Sequence, residues 1–180
     1  MSEQQQPSQN LPTEVDLRTN QDLDPTRLRK AFGIFPSGVV VVAATVDGTP
    51  VGLAASSFTS VSLDPPLVSV SIAKTSKTWP DLRRAEHLGV TVLAEHQGVV
   101  CRQLAGPVDQ RFDGIAVQRS DEGALTIDEG LARFDCTIYR EVEAGDHLIV
   151  LLELHRVEHP DSGSPLIFHN SGFGKLAQPV

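Results

Sequence analysis

The sequence predicts a mainly antiparallel β-barrel decorated with a few short helices, and three observations carry that expectation. About seven strand-like runs, separated by Gly, Pro, Asp and Ser turns, fill the chain after its first segment, the spacing of an all-β barrel or sandwich rather than of βαβ units. Val39–Val46 is an almost unbroken run of Val and Ala closed by Asp47-Gly48, a two-residue hairpin signal, so this strand should be buried on both faces. Leu131–Glu143 and His147–His159 read as two long strands around the turn Glu143-Ala144-Gly145-Asp146. There is no internal repeat, and one domain is expected over 24–180.

Residues 1–23 are rich in Gln, Ser, Pro and Asn and read as a disordered tail, unable to bury enough surface to offset ordering entropy. Asp24-Pro25 marks a helix start, with Asp as N-cap and Pro at the first helical position. Leu28, Ala31 and Phe32 continue it at helical spacing towards Gly33. Phe35-Pro36-Ser37-Gly38 is a turn into the first strand. One further strand is expected over Val51–Ser62, and another from Leu67 to Ala73 with Val68, Val70 and Ile72 on one face and Ser69 and Ser71 on the other. A helix over Lys77–Ala85 should carry Trp79 and Leu82 inward. A strand over His87–Leu93 and a helix over Glu95–Leu104 follow. Gly106–Ser120 reads as an irregular connection, and Pro165–His169 as a last short strand before a Gly-containing segment.

Composition narrows the function. Hydrophobic residues make up 40% and charged residues 21% of 180 positions, enough to bury a sizeable core. A net charge of −8 argues against nucleic acid or an anionic membrane surface as partner. Cys101 and Cys136 have no CxxC and no metal-type spacing, so neither a disulfide framework nor a metal centre is expected. No apolar run approaches the roughly 20 residues needed to span a bilayer. The N-terminus has neither a basic n-region nor an apolar h-region, so secretion is not indicated, and the cysteine usage fits a reducing, cytoplasmic location.

The stretch Pro50–Leu82 concentrates the candidate chemistry. Ala54, Ala55, Ser56 and Ser57 place small side chains along a strand, where a flat ring can approach the backbone closely. Close packing on a neighbouring strand would explain them equally well. Ser76-Lys77-Thr78 sets a cation and two hydroxyls at a helix start, an arrangement suited to an anion, although Ser76 also reads as a plain cap. A flat ring and a phosphate held a short distance apart suit a flavin mononucleotide half. Arg111-Phe112 is either a ligand contact or a surface pair. His147 follows the Gly145-Asp146 turn and is either solvated or a contact for a nicotinamide or its diphosphate. His155 and His159 lie about 13 Å apart along a strand, too far to share a metal ion. Gly172-Phe173-Gly174-Lys175 follows no parallel strand and opens no helix, so it supports neither a P-loop nor a Rossmann fingerprint.

These motifs, in this order, resemble the short-chain flavin reductases, whose fold is the FMN-binding split β-barrel of antiparallel Greek-key type. The resemblance runs from about Leu28 to Leu176. It rests on Pro36-Ser37-Gly38-Val39, Ala55-Ser56-Ser57-Phe58-Thr59, Pro65-Pro66-Leu67-Val68, Ser76-Lys77-Thr78, Arg111-Phe112, Gly145-Asp146-His147 and Leu166-Ile167-Phe168-His169. Ser37 departs from the Thr more usual in the family but keeps the hydroxyl. The resemblance implies a homodimer that uses NADH or NADPH to reduce FMN or FAD, often for a separate flavin-dependent monooxygenase. It implies that Pro36, Ser37, Gly38, Val39, Ala54, Ala55, Ser56 and Ser57 line the flavin, with Ser71 and Arg111 counted beside them. Ser76, Lys77 and Thr78 would hold its phosphate, while His147 and the Phe168–Gly172 region, with Phe168, His169, Asn170 and Gly172 singled out, would face the nicotinamide nucleotide. A flavin-binding or electron-transfer protein of the same fold without turnover is the alternative. A heme- or pyridoxal-phosphate-binding split barrel is a third, without the arginine-rich phosphate pattern of the PLP oxidases.

Overall fold

The computed structural model describes residues 23–177, so the expected tail lies outside the described residues except for Leu23. The chain runs α1 (Pro25–Gly33), β1 (Ser37–Gly38), β2 (Val40–Val46), β3 (Thr49–Ala55), β4 (Thr59–Leu63) and β5 (Pro66–Ala73). It continues through α2 (Trp79–Leu82), β6 (Leu88–Val92), α3 (Gly98–Leu104), β7 (Val117–Arg119) and β8 (Leu125–Ile127). The long hairpin β9 (Ala132–Ala144) and β10 (His147–Glu158) follows, then β11 (Ile167–His169) and β12 (Gly172–Gly174). Asp24 caps α1 as expected, its carboxylate accepting from the amides of Thr26 and Arg27 at 2.9 and 3.1 Å.

Seven strands form one sheet in the order β3-β2-β6-β9-β10-β5-β4, each pair antiparallel. Its two edge strands, β3 and β4, are consecutive in sequence and separated only by Ser56, Ser57 and Phe58. The chain itself therefore bridges the two edges, which makes this a split barrel. The single strand expected over Val51–Ser62 is broken at this bridge for a topological reason. Residues up to Ala55 pair with β2, whereas those from Thr59 pair with β5. Carrying the Thr59–Ser69 register two residues back puts Ser57 opposite Ser71. There the Ser57 hydroxyl accepts from the Ser71 amide at 2.9 Å and donates to its carbonyl at 3.1 Å. A side chain thus replaces the ladder bonds lost where the strand changes partners.

β2 is buried on both faces, as its composition predicts. Val40, Val42, Ala44 and Val46 pack inside the barrel with Val68, Val70, Ile72, Leu88, Val90, Val150 and Leu152. Val39, Val41 and Ala43 join Leu93, Leu104, Leu125, Ile127 and Leu166 in a second core under α3 and β8. The tight hairpin after β2 turns on Asp47 and Gly48 at φ 50° and 80°, as a type I′ turn requires.

Other expectations shift. The β7–β8 hairpin lies in and beyond the segment expected to be irregular. Its second strand crosses β6 at Gly89, where a Cβ would collide with the Leu125 carbonyl. The helix expected over Lys77–Ala85 shrinks to α2, with i→i+3 turns carrying the chain from Leu82 to Ala85. Trp79 and Leu82 are nevertheless buried. The helix expected from Glu95 begins at Gly98. Ser37 and Gly38 lie in a short strand rather than only in a turn, because they pair with Phe168 and Ile167 of β11.

Candidate functional site

Two open cavities, of about 610 and 720 Å3, meet at Ser56 and Ser57, the point where the strand changes partners. Ala54, Ala55, Ser56, Ser57, Ser71, Ser76, Lys77, Thr78, Arg111 and His147 line the first. Pro36, Ser37, Gly38 and Phe168 line the second, together with Ser56 and Ser57. Residues far apart in sequence thus converge because β1 pairs with β11 and β3 hands over to β4.

In the first cavity the loop before α2 follows the plain-cap reading of Ser76. The Ser76 hydroxyl accepts from the amides of Thr78 and Trp79 at 3.3 and 3.2 Å, so those amides already have partners. What remains for an anion is the Lys77 ammonium, which has no ion-pair partner among the described residues, and the hydroxyl of Thr78, a residue only 5% exposed as a whole. Arg111 fixes that hydroxyl. Its Nη1 donates to Thr78 Oγ1 at 2.9 Å and to the Gly52 carbonyl at 2.8 Å, while Nε donates to the Gly106 carbonyl at 3.0 Å. With Arg111 as donor, Thr78 Oγ1 keeps its own proton free to face a ligand. Burial lowers the Arg111 pKa, yet guanidinium remains a cation. Next to it, Phe112 lies so close to Gly52 that a Cβ there would stand 2.7 Å from the ring. α2 is held from outside, Trp79 Nε1 donating to Glu141 at 2.8 Å and Arg83 pairing with the same carboxylate at 2.7 Å.

His147 opens β10 opposite Ala73 and Ala144, and Asp146 Oδ1 lies 2.7 Å from its Nδ1. The hydrogen bond from His147 holds the Asp146 carboxyl below the usual carboxylate range. With Nδ1 engaged there, Nε2 is the nitrogen left for a ligand. His155 and His159 bond elsewhere, to Thr137 and to the Pro160 carbonyl. Among the described residues no group of three or more His, Cys, Asp or Glu is placed to hold a metal ion.

The second cavity is aromatic. Phe32, Phe35, Phe58 and Phe168 contribute to its wall, and Phe168 packs on Phe173 with ring centroids 5.9 Å apart. Val39, expected beside a flavin, belongs to the second core, and its carbonyl accepts from Leu93. His169, Asn170 and Gly172 do not line either cavity; their hairpin turns on Asn170 and Ser171 at φ 47° and 63°, and Ser171 reaches the wall instead. The Asn170 amide donates to the Gly33 carbonyl, tying this hairpin to the end of α1. Sequence reasoning missed Arg29 and Phe32, which no local pattern brings to the site, whereas Ser171 lies inside the Phe168–Gly172 region that the resemblance set against the nicotinamide nucleotide. Phe35 and Phe58 were also not named as site residues, although they stand in the Phe35-Pro36-Ser37-Gly38 turn and the Ala55–Thr59 motif.

Small side chains at the junction, an unpaired cation with an oriented hydroxyl on one side, and aromatic rings on the other fit a flat ring carrying a phosphate arm. A family model described as flavin reductase like domain matches residues 32–177. The chain belongs to the flavin reductase family. It is 37% identical over 156 residues to a flavin reductase of Pseudomonas putida, covering 86% of this chain and 92% of that protein. It is 40% identical to the FMN reductase (NADH) SmoA of Agrobacterium fabrum, over 83% of this chain and 85% of that one. The NADH:FAD oxidoreductase SgcE6 of Streptomyces globisporus, solved with NAD and FAD fragments, superposes with a TM-score of 0.81 at 34% identity, covering 86% of this chain and 94% of its own. Three longer relatives are spanned only in part, for 56%, 40% and 48% of their lengths.

Proposed function

We propose that the chain is an NAD(P)H:flavin oxidoreductase that passes hydride from NADH or NADPH to FMN or FAD and supplies reduced flavin to a separate monooxygenase. The observation that carries this reading is the junction of the two cavities at Ser56–Ser57, with phosphate-type groups on one side and a ring-type wall on the other. The flavin supplies the redox chemistry when bound. The chain's own work is placement. Lys77 and the Thr78 hydroxyl hold the flavin phosphate, with Arg111 setting the hydroxyl's direction. Ala54, Ala55 and Ser56 leave room for a ring against the backbone. His147, held by Asp146, orients the nicotinamide nucleotide. No side chain in this arrangement has to accept or give up a proton for hydride to move, so alignment supplies the rate enhancement.

A homodimer in the cytoplasm completes the proposal. Its support is the apolar surface that the single chain leaves in water: Phe32, Ile34 and Phe35 at 70%, 66% and 78% exposure, and Leu63 at 96%. Among the described residues no helix is long and apolar enough to cross a membrane. A monooxygenase partner is supported by the relatives' own names, among them a flavin-dependent monooxygenase reductase subunit HsaB of Rhodococcus jostii.

Oxidation of NADH and of NADPH by the purified protein, followed by nicotinamide absorbance with and without added FMN or FAD, tests the reading. Oxidation that requires free flavin is the expected result. A yellow protein that oxidises neither nucleotide supports the flavin-binding alternative without turnover. A colourless, inactive protein overturns both.

A further inference from the structure

Most cations of the described chain are already matched. Lys74 pairs with Glu143, Arg83 with Glu141, Arg84 with Asp47, Arg133 and Arg156 with Glu158, and Lys175 with Glu95. Arg111 is bonded to carbonyls and Thr78, while Arg102 and Arg140 lie over the rings of Phe173 and Tyr139. Among the described residues Arg29, Lys30, Lys77 and Arg119 have no side-chain partner, in a chain whose net charge is −8. Of these, only Lys77 and Arg29 line the two joined cavities, Lys77 in the first and Arg29 in the second.

The proposed flavin accounts for one of the two, since its phosphate arm lies with Lys77 and its ring at the Ser56–Ser57 junction. Arg29 therefore faces the end of the groove remote from that phosphate. An FAD adenylate cannot reach it by continuing along the groove, because FAD extends from the flavin's own phosphate and leaves from the Lys77 end. The anion at the Arg29 end has to come from the other reactant. A guanidinium presents a planar fork of donors that matches phosphate oxygens bidentately. We infer that Arg29 binds the diphosphate of the nicotinamide dinucleotide and so anchors the hydride donor over the flavin. This rests on the reductase reading above and adds a donor-binding residue to it.

The test compares Arg29→Gln with Lys30→Gln, its neighbour on α1 that does not line the cavity. Arg29 is exposed on its helix, so its truncation leaves the fold intact. Calorimetric titration of NAD+ into the flavin-loaded protein should show affinity about tenfold weaker in Arg29→Gln, unchanged in Lys30→Gln and partly restored in Arg29→Lys. The KM for NADH should rise in parallel with kcat and flavin affinity unchanged. The phosphate-free donor 1-methyl-1,4-dihydronicotinamide should show the same KM in wild type and Arg29→Gln. NAD+ affinity unaltered by Arg29→Gln, or a loss of flavin affinity in place of it, overturns the inference while leaving the reductase reading intact. Wild-type protein that oxidises no donor in the presence of either flavin overturns the reductase reading itself.

Discussion

Arg111 is the residue whose role divides most sharply between holding the site and touching the ligand, and Arg111→Lys separates the two. The substitution keeps the charge but removes the rigid fork. In the structure three acceptors share that fork, the carbonyls of Gly106 and Gly52 and the Thr78 hydroxyl, at 3.0, 2.8 and 2.9 Å. A lysine ammonium reaching one of them leaves two bonds unmade. Hydrogen bonds to charged groups contribute about 1.5–3 kcal/mol each when buried, and this side chain is only partly buried, so the lower end applies. The expected loss is about 2–3 kcal/mol, roughly 5–10 °C in Tm for a chain of this size. Urea unfolding should show a lower midpoint with an unchanged slope. FMN affinity should fall about tenfold, because the Thr78 hydroxyl loses its direction. A double-mutant cycle with Thr78→Val should return a coupling of about 1 kcal/mol. Stability within about 0.5 kcal/mol of wild type, together with a collapse of FMN affinity, would refute the clamp and make Arg111 a direct phosphate ligand.

His147→Ala should raise the KM for NADH while kcat is retained; an unchanged KM with a collapsed kcat would show that the imidazole takes part in the chemistry. Gly89→Ala drives a methyl into the Leu125 carbonyl, a backbone atom that cannot step aside, and should cost about 3 kcal/mol or more. A native Tm in that variant would mean the β6–β8 crossing is looser than the structure shows. Burial, with the charge of Asp135 second, pushes the Cys136 thiol up to about 12, and burial raises Cys101 as well. Both thiols should therefore resist a thiol reagent in the native protein and react once it is unfolded. For Cys136 the native acid is the weaker one, so between its ordinary 9.0 and about 12 only the unfolded thiol ionises. Stability should fall with rising pH in that window by about 1.4 kcal/mol per pH unit, a slope that Cys136→Ala lacks.

The readings that held are those in which one short segment contains its own physical cause. Val39–Val46 is apolar at odd and even positions alike, so it could only be a strand covered twice, and two separate cores cover it. Asp24-Pro25 and Asp47-Gly48 carry their cap and their turn within a few residues. The long β9–β10 hairpin was legible for the same reason. The misplacements arise where the deciding partner is distant. Ser76 reads either as part of an anion cradle or as a plain cap, and only the structure shows its hydroxyl accepting from two of the amides. Val39 sits in a recognised motif beside the cavity, yet its side chain packs into the second core with Leu93 and Leu166. Asn170 and Ser171 adjoin in sequence, and only the geometry of their hairpin decides which reaches the cavity wall.

By itself the sequence determined the family, the barrel class, the run of small side chains at Ala54–Ser57 and the cation at Lys77, because these depend on side-chain size, charge and alternation that each residue carries wherever it is placed. Tertiary structure alone decided that the strand after Ala55 leaves β2 for β5, that the Ser57 hydroxyl mends the ladder there, and that Arg111 crosses to Thr78 and Gly52. It also brought Arg29, Phe32 and Ser171 to one cavity. Those are outcomes of pairing and register between segments far apart in the chain, and a hydrogen bond has no partner until the fold has chosen one.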